Sequence, residues 1–296
     1  MNFLRNPVAV KELRSRMRGG RAFAVLTIYL ALMSGLVLIV YLAFSAASNN
    51  NFGPSSRQAG KAVFAAVLTI QVFLVIFIGP AFTSATISGE KDRQTYDLLR
   101  TTLLPARSLV IGKLISALAY VFLLIIVSIP LQSIAFLLGG ITFTELFLSQ
   151  VLIIISAISY ALIGFYYSTV MRSTLAASVA TFASALLLTM GGPFLAGILA
   201  TLMGTFLFGS SMPSWSMQAL LIYGGILLAA TNLPATIIIS EVFLLEEDTL
   251  FYWTNVIDGH TVFILSPWYL YAIFYALLGL ILYWACVRQI KKVSTR

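Results

Sequence analysis

Residues 88–113 read SGEKDRQTYDLLRTTLLPARSLVIGK and form the most highly charged stretch away from the ends of a chain in which only 9% of residues are charged. Ser88 has the side chain of a helix N-cap, and Glu90 and Asp92 then fall in the first turn, where the helix dipole favours acids. Pro105 ends such a helix because it cannot continue the backbone hydrogen-bond pattern. The stretch therefore predicts a short helix between two long apolar runs.

The apolar side of this predicted helix is formed by Tyr96, Leu99 and Leu103, whose spacing of i, i+3 and i+7 places them on one face. An amphipathic helix of this kind lies against a membrane surface or a partner protein. A solvated loop between two membrane spans is the alternative, and the residues alone leave it open.

The composition indicates a membrane protein. Of the 296 residues 60% are apolar, the mean hydropathy is +0.98, and several apolar runs exceed the ~18–20 residues that cross a bilayer as a helix. A single cysteine provides no disulfide framework. The net charge of +8 arises from basic residues that flank apolar runs, so we expect a lipid bilayer and no nucleic acid as the partner. The fold class predicted is an all-α polytopic membrane protein.

Six core spans are predicted. They are Ala22–Phe44, Ala62–Phe82, Leu109–Leu138, Leu146–Val170, Leu175–Met190 and Pro267–Val287. The basic residues 1–21 precede the first span and are predicted to form an interfacial helix, with its cations toward anionic lipid.

Residues 193–266 are predicted to form an outer region without a complete span. No charged residue occurs between Ser173 and Ser240, and Gly191-Gly192-Pro193 and Asn232-Leu233-Pro234 are expected to break helices. Re-entrant half-helices fit this pattern, because irregular backbone at membrane depth is tolerated where protein buries it. Eight full spans remain the alternative. We expect His260 to lie in an exposed acidic loop.

The positions of the basic residues predict the orientation. With both termini in the cytoplasm, all of the 18 Lys and Arg except Arg57 and Lys61 fall on the cytoplasmic side, and the opposite orientation inverts that ratio. We therefore expect a multi-pass protein of the inner (cytoplasmic) membrane with both termini inside.

Several chemistries have no support in the sequence. The first five predicted spans carry essentially no ionisable residue of the kind that couples a carrier to protons or sodium, and Glu241 lies next to the acidic outer patch. Gly60-Lys61 and Gly112-Lys113 lack the Ser or Thr and the glycine spacing of a P-loop. We therefore expect no catalytic residue, no metal site, no cofactor and no ATP binding in this chain, and any energy for transport must come from another chain.

Polar residues inside the spans are predicted to make hydrogen bonds between helices or to form interfacial aromatic belts. The alternative is a largely apolar translocation cavity for an amphiphile. Ala176, Ala180 and Ser184 form a ladder of small residues in the fifth span, with Ala177, Thr181 and Ala185 beside it. Such a face allows close approach of another helix, within the chain or in a dimer. The polar set is Gln71, Gln132, Ser133, Gln150, Ser156, Tyr160, Tyr166 and Tyr167.

Two segments resemble the permease subunits of type-2 ABC transporters, an exporter class that includes the permease for nitrous-oxide reductase maturation. The first is Asn6-Pro7 with KELRSRMRGGR before span one, and the second is ISGEKDRQTYDLLRTTLLPARSLVIGKL after span two. Leu103-Leu104 place Pro105 later than the usual Thr-Pro of that family. Asn232-Leu233-Pro234 is similar to the family's Asn-Pro, with one inserted residue.

The resemblance implies a single permease domain over residues 1–296, a homodimer or heterodimer of permeases, and two ABC ATPase subunits in trans. It also implies that residues 88–108 contain a cytoplasmic coupling helix, over Glu90–Leu104, that docks in a groove of the ATPase. The implied ATPase contacts are polar at Glu90, Lys91, Arg93 and Arg100 and apolar at Tyr96, Leu99 and Leu103.

Three functions follow as hypotheses. The first is the permease of an ATP-driven exporter powered in trans. The second is a non-transporting scaffold or sensor that assists assembly or maturation of an extracytoplasmic enzyme, through an acidic region at Glu241–Asp258. The third is an ion-coupled carrier that depends on Glu241. An uncharged, apolar interior suits a lipid, a hydrophobic drug or a peptide as substrate, and the sequence does not choose among them.

Overall fold

A computed structural model describes residues 10–11, 13, 20–48, 56–95, 105–202, 214–246, 249–257 and 259–294. The predicted interfacial helix over residues 1–21 lies almost entirely outside the described residues. The chain divides into two compact units, the first formed by Met1–Phe182 with Gly279–Arg296 and the second by Ala183–Leu278.

The described elements are mostly long helices. In chain order they are α1 (Gly20–Ser48), α2 (Ser56–Ser84), α3 (Ser88–Asp92), α4 (Ala106–Leu137), α5 (Phe143–Val170), α6 (Thr174–Leu202), α7 (Trp215–Ala229), α8 (Leu233–Glu246), β1 (Tyr252–Ile257), β2 (His260–Leu265) and α9 (Pro267–Ser294).

Six of these helices, α1, α2, α4, α5, α6 and α9, are long and apolar enough to cross a membrane. Within the described residues, α7 and α8 have 15 and 14 residues and are shorter than the ~20 that a complete crossing needs. The prediction of an all-α polytopic membrane protein with six core spans is therefore confirmed. A re-entrant position for α7 and α8 stays a prediction.

The first unit is organised around α2, which packs against α5, α4 and α1. Polar side chains join three of these helices in the interior. Gln132 and Gln150 both donate to Oε1 of Gln71, at 2.8 and 3.2 Å, and Gln71 donates to the hydroxyl of Ser128. The prediction that these glutamines make hydrogen bonds between helices is confirmed.

The two adjacent rows of small residues on α6 differ in burial. Ala177, Thr181 and Ala185 are buried, whereas Ala176 is exposed and Ala180 and Ser184 are half-buried. A role of Ala176, Ala180 and Ser184 in a dimer stays a prediction.

In the second unit, Gly191-Gly192-Pro193 does not break α6, which runs through Pro193 to Leu202. That prediction was wrong for a reason the structure makes clear. Proline at 193 has no N–H for the carbonyl of Thr189, four residues earlier. The side-chain amide of Asn232 donates to that carbonyl instead. The helix therefore continues because a side chain from another segment replaces the missing donor.

Asn232 has a second role, because its Oδ1 accepts the backbone N–H of Ala235 at 2.9 Å and caps the start of α8. The predicted break at Asn232-Leu233-Pro234 is confirmed, since α7 ends at Ala229 and α8 begins at Leu233.

We expect Asn232→Ala to lower the free energy of unfolding by about 2 kcal/mol, from one lost cap and one unpaired buried carbonyl. Pro193→Ala restores a backbone N–H to residue 193. In the Asn232→Ala background it should recover about half of the loss, whereas in the wild-type chain it should change little. Unfolding in mixed detergent micelles measures all four proteins. Equal effects of Pro193→Ala in both backgrounds would contradict the assignment.

A β-hairpin in the second unit was not predicted. β1 and β2 pair antiparallel with Ile257 opposite His260, and Gly259 at the turn has φ 81°. Val262 and Ile264 of β2 are buried against Ala219, Ile226 and Phe243 of α7 and α8. His260 is therefore in a strand rather than in the predicted loop, and its ring stacks on that of Trp215 with centroids 4.3 Å apart.

Candidate functional site

Helix α3 follows α2 after one tight turn. The N–H of Thr86 bonds to the carbonyl of Thr83 at 3.1 Å, and the N–H of Gly89 bonds to that of Ala85 at 3.0 Å. These bonds leave no flexible linker between the two helices. α3 therefore follows directly from the end of α2.

The first N–H groups of α3 are satisfied by Ser168 of α5. The Ser168 hydroxyl oxygen accepts from the N–H of Ile87 at 2.8 Å and from that of Ser88 at 3.0 Å. Unpaired donors at a helix start need such a partner when they are buried. The start of α3 is thereby attached to α5.

Lys91 caps the C-terminal end of α5. Its ammonium donates to the carbonyl of Thr169 at 2.6 Å and to that of Met171 at 3.0 Å. The last carbonyls of a helix have no partner within the helix and carry the negative end of its dipole. A lysine from α3 supplies both the donors and the opposite charge.

Asp92 makes the complementary contact with α6. The backbone N–H of Thr174, the first residue of α6, donates to the carboxylate at 3.0 Å. The positive end of the α6 dipole lies there, so a carboxylate stabilises it. Adjacent residues of α3, one basic and one acidic, thus bind the adjoining ends of two successive membrane helices.

Glu90 connects α3 to α4 through an ion pair. The Glu90 Oε1 atom lies 2.6 Å from the ammonium of Lys113, and the two side chains are 22% and 3% exposed. The same ammonium donates to the carbonyl of Thr86 at 3.4 Å. A charge as buried as that of Lys113 is tolerated only because it is paired.

We call this set of contacts the α3 junction: α3 with Lys113 of α4, Ser168 to Met171 at the end of α5, and Thr174 of α6. A cavity of about 540 Å³ lies beside it, lined in part by Glu90, Arg93 and Thr95. Within the described residues the Glu90 Oε2 atom is buried and has no hydrogen-bond partner. The junction joins the ends of four predicted spans through one five-residue helix.

The structure corrects two predictions about this segment. Ser88 is not the N-cap; that position is Ile87, and the Ser88 hydroxyl donates to the carbonyl of Ser84 at 2.8 Å. The helix is not continuous from Glu90 to Leu104, because α3 ends at Asp92 and Gln94 has φ 59° in the left-handed region. A second helix, α4, begins at Ala106.

The predicted contact residues divide into three groups. Glu90 and Lys91 are engaged within the chain, in the ion pair and in the cap of α5. Arg93 is exposed and lines the cavity. Tyr96, Leu99, Arg100 and Leu103 lie outside the described residues.

Sequence analysis missed the partners of α3. Lys113 ends the charged segment 88–113 in the sequence, but in the structure it lies inside α4 and is buried, so it is an ionisable residue within the third span. Asp92 was assigned to the dipole of its own helix, whereas it binds α6. The clue was a lone lysine inside an apolar stretch, since a buried cation requires a carboxylate.

Comparison with protein families identifies the class of protein to which this chain belongs. A model of the ABC-2 family transporter protein matches residues 6–282. The chain belongs to this family. It is therefore a permease subunit of an ABC transporter, and the resemblance to type-2 ABC permeases is confirmed. The match does not identify the chain as the nitrous-oxide reductase maturation type within this family. A comparison with curated proteins gave no significant match.

Membership of the ABC-2 family makes this chain a membrane transport component rather than the catalytic one. In the part of the chain that the structure describes, no three His, Cys, Asp or Glu side chains are grouped to hold a metal ion. In the α3 junction, the charged side chains of Glu90, Lys91 and Asp92 contact Lys113 and the ends of α5 and α6.

Proposed function

We propose that this ABC-2 permease is powered by an ATPase subunit in trans, and that the α3 junction transmits the movement of that ATPase to the membrane helices. The observation that carries the proposal is the set of bonds from α3 to α4, α5 and α6, in addition to its continuity with α2. We further propose that the direction of transport is export.

Stiff contacts between α3 and the membrane helices would allow such a movement to be transmitted. Binding energy at one surface moves a distant element only through contacts that do not yield. α3 has only five residues, but its side chains hold the ends of α5 and α6 and the buried Lys113. Pressure on the exposed residues that follow α3, Arg93 and Thr95, would shift these helix ends together rather than bend a loop.

The orientation and assembly are also proposals. The distribution of Lys and Arg favours cytoplasmic termini in the inner membrane, which puts α3 on the side where ATP is available. The exposed apolar residues of α6, among them Leu175 at 77% and Leu187 at 71%, suit lipid or a second permease. We propose a dimer of permeases, in which Ala176, Ala180 and Ser184 are the residues to test.

Charge reversal at Arg93 tests the ATPase contact without disturbing the junction. Arg93 is exposed, whereas a change at Glu90 or Lys91 would also remove a bond within the permease. We expect Arg93→Glu to lower the amount of ATPase that co-purifies with a tagged permease by roughly tenfold, the effect of about 1.4 kcal/mol in binding, as expected when a contact charge is reversed.

Arg57→Glu is the matched control, because Arg57 is also exposed and lies at the start of α2, the opposite end from α3. The control should keep the ATPase, and neither change should alter the unfolding of the isolated permease. Unchanged ATPase recovery in Arg93→Glu would contradict the proposal. An intact complex that hydrolyses ATP but moves no substrate would favour the scaffold hypothesis instead.

A further inference from the structure

The start of α4 and the last turns of α9 line a cleft that shares no lining residue with the cavity beside the α3 junction. Its volume is about 540 Å³, and its lining is Arg107, Tyr283, Trp284, Val287, Arg288 and Lys291. All six residues belong to the first unit.

The walls of this cleft are held by packed apolar residues. Val287 is buried in a cluster with Leu109 and Val110 of α4 and Phe165 of α5, and Tyr283 packs against the same cluster. The cations at the rim therefore stand on two helices that are fixed against each other. A site with fixed walls loses less entropy on binding than a flexible one.

The charged residues described in the lining of the cleft are all basic. Among the residues that the structure describes, its lining contains three cations, Arg107, Arg288 and Lys291, and no acidic residue. The first turn of α4 also contains no acid, and its N-cap, Pro105, makes no side-chain cap bond. The positive end of the α4 dipole therefore adds to the three cations. This combination suits a phosphate group.

The aromatic residues indicate the depth of the cleft in the bilayer. The guanidinium of Arg288 lies 5.0 Å from the ring centre of Trp284, and Trp284 is 61% exposed. Tryptophan beside a basic residue is typical of the boundary between headgroups and acyl chains. Leu280 and Ile281, one turn earlier on α9, are 65% and 63% exposed. An apolar surface suited to acyl chains therefore continues from the basic cleft.

We propose that this cleft binds the headgroup of an anionic phospholipid, with its phosphate between Arg107, Arg288 and Lys291 and its acyl chains along Trp284, Ile281 and Leu280. Basic pockets between membrane helices bind such lipids through charge and depth together. A water-soluble acidic protein would use the cations but not the adjoining exposed apolar stripe. The inference does not depend on the proposed function of the α3 junction.

Native mass spectrometry of the purified permease with equal amounts of phosphatidylglycerol and phosphatidylcholine tests the proposal. We expect the wild type to retain phosphatidylglycerol preferentially. Arg288→Gln with Lys291→Gln should reduce that preference roughly tenfold or more, since each cation contributes about a fivefold effect near an anionic lipid. Arg57→Gln with Lys61→Gln removes two cations at the opposite end of the first unit and should leave the preference unchanged.

Fluorescence quenching tests whether the bound lipid lies beside Trp284. Brominated phosphatidylglycerol should quench tryptophan emission more than brominated phosphatidylcholine does, and Trp284→Phe should abolish that difference. Excess inorganic phosphate should not displace the lipid. Equal retention of both lipids by the wild type, equal loss in the control variant, or displacement by phosphate would overturn the proposal. So would a double variant that keeps its lipid and loses an ATPase partner instead.

Discussion

Replacing Glu90 with alanine should lower the free energy of unfolding of the permease by about 3 kcal/mol. The side chain of Lys113 is 3% exposed, and the Glu90 carboxylate lies 2.6 Å from its ammonium. Breaking a buried ion pair leaves the remaining charge without its counter-ion, which costs about 3–5 kcal/mol. We expect the lower end of that range because Glu90 itself is 22% exposed. Unfolding in mixed detergent micelles measures the loss.

A matched double variant distinguishes the effect of losing one charge of the pair from the effect of losing side-chain volume. Glu90→Leu with Lys113→Met removes both charges and keeps apolar volume, so its stability should return to within about 1 kcal/mol of the wild type. Lys113→Met alone should be less harmful than Glu90→Ala, because it leaves a carboxylate that is closer to solvent. A double variant as unstable as Glu90→Ala would show that the pair is not the source of the loss.

Gln71→Leu should have an effect of similar size, about 3 kcal/mol, because three hydrogen bonds meet at this side chain. Its Oε1 accepts from Gln132 and Gln150, and its amide donates to Ser128. All four side chains are buried, so the donors that lose Gln71 are away from solvent, although the amide of Gln150 keeps its bond to Oε1 of Gln132 at 3.1 Å. The measurement is again unfolding in mixed micelles.

Ser133→Ala provides the control for Gln71→Leu. Ser133 follows Gln132 on α4, is exposed, and donates only locally, to the carbonyl of Ile129 at 3.1 Å. Its loss should cost less than 0.5 kcal/mol, which is ordinary for an exposed position. Equal effects of the two changes would mean that the glutamine network does not stabilise the helix packing.

The six long helices could be predicted because each needs about twenty apolar residues, and such runs are visible in any sequence. The continuation of α6 through Pro193 could not be predicted in the same way. Its missing donor is replaced by Asn232, which is distant in sequence, and only the folded chain shows that contact. The hairpin is different, since Asp258-Gly259 between runs rich in β-branched and aromatic residues is a recognised turn signal.

Part of the α3 junction could likewise be predicted from the sequence, and part could not. The charged segment 88–92 could be found from the sequence because charges are rare in this chain. The partners of its charges could not, because Lys91 and Asp92 bind backbone groups of α5 and α6, and backbone groups carry no sequence signal. Of these contacts, the Glu90–Lys113 ion pair alone has a signal in the sequence, because Lys113 is one lysine within an apolar helix.

Site-specific photocrosslinking tests the central proposal most directly. A benzophenone amino acid placed at position 93, on the exposed side of the α3 junction, should crosslink the permease to its ATPase subunit in native membranes. The same amino acid at position 57 should give no ATPase adduct. Absence of the adduct at position 93, or its appearance at position 57 instead, would contradict the account.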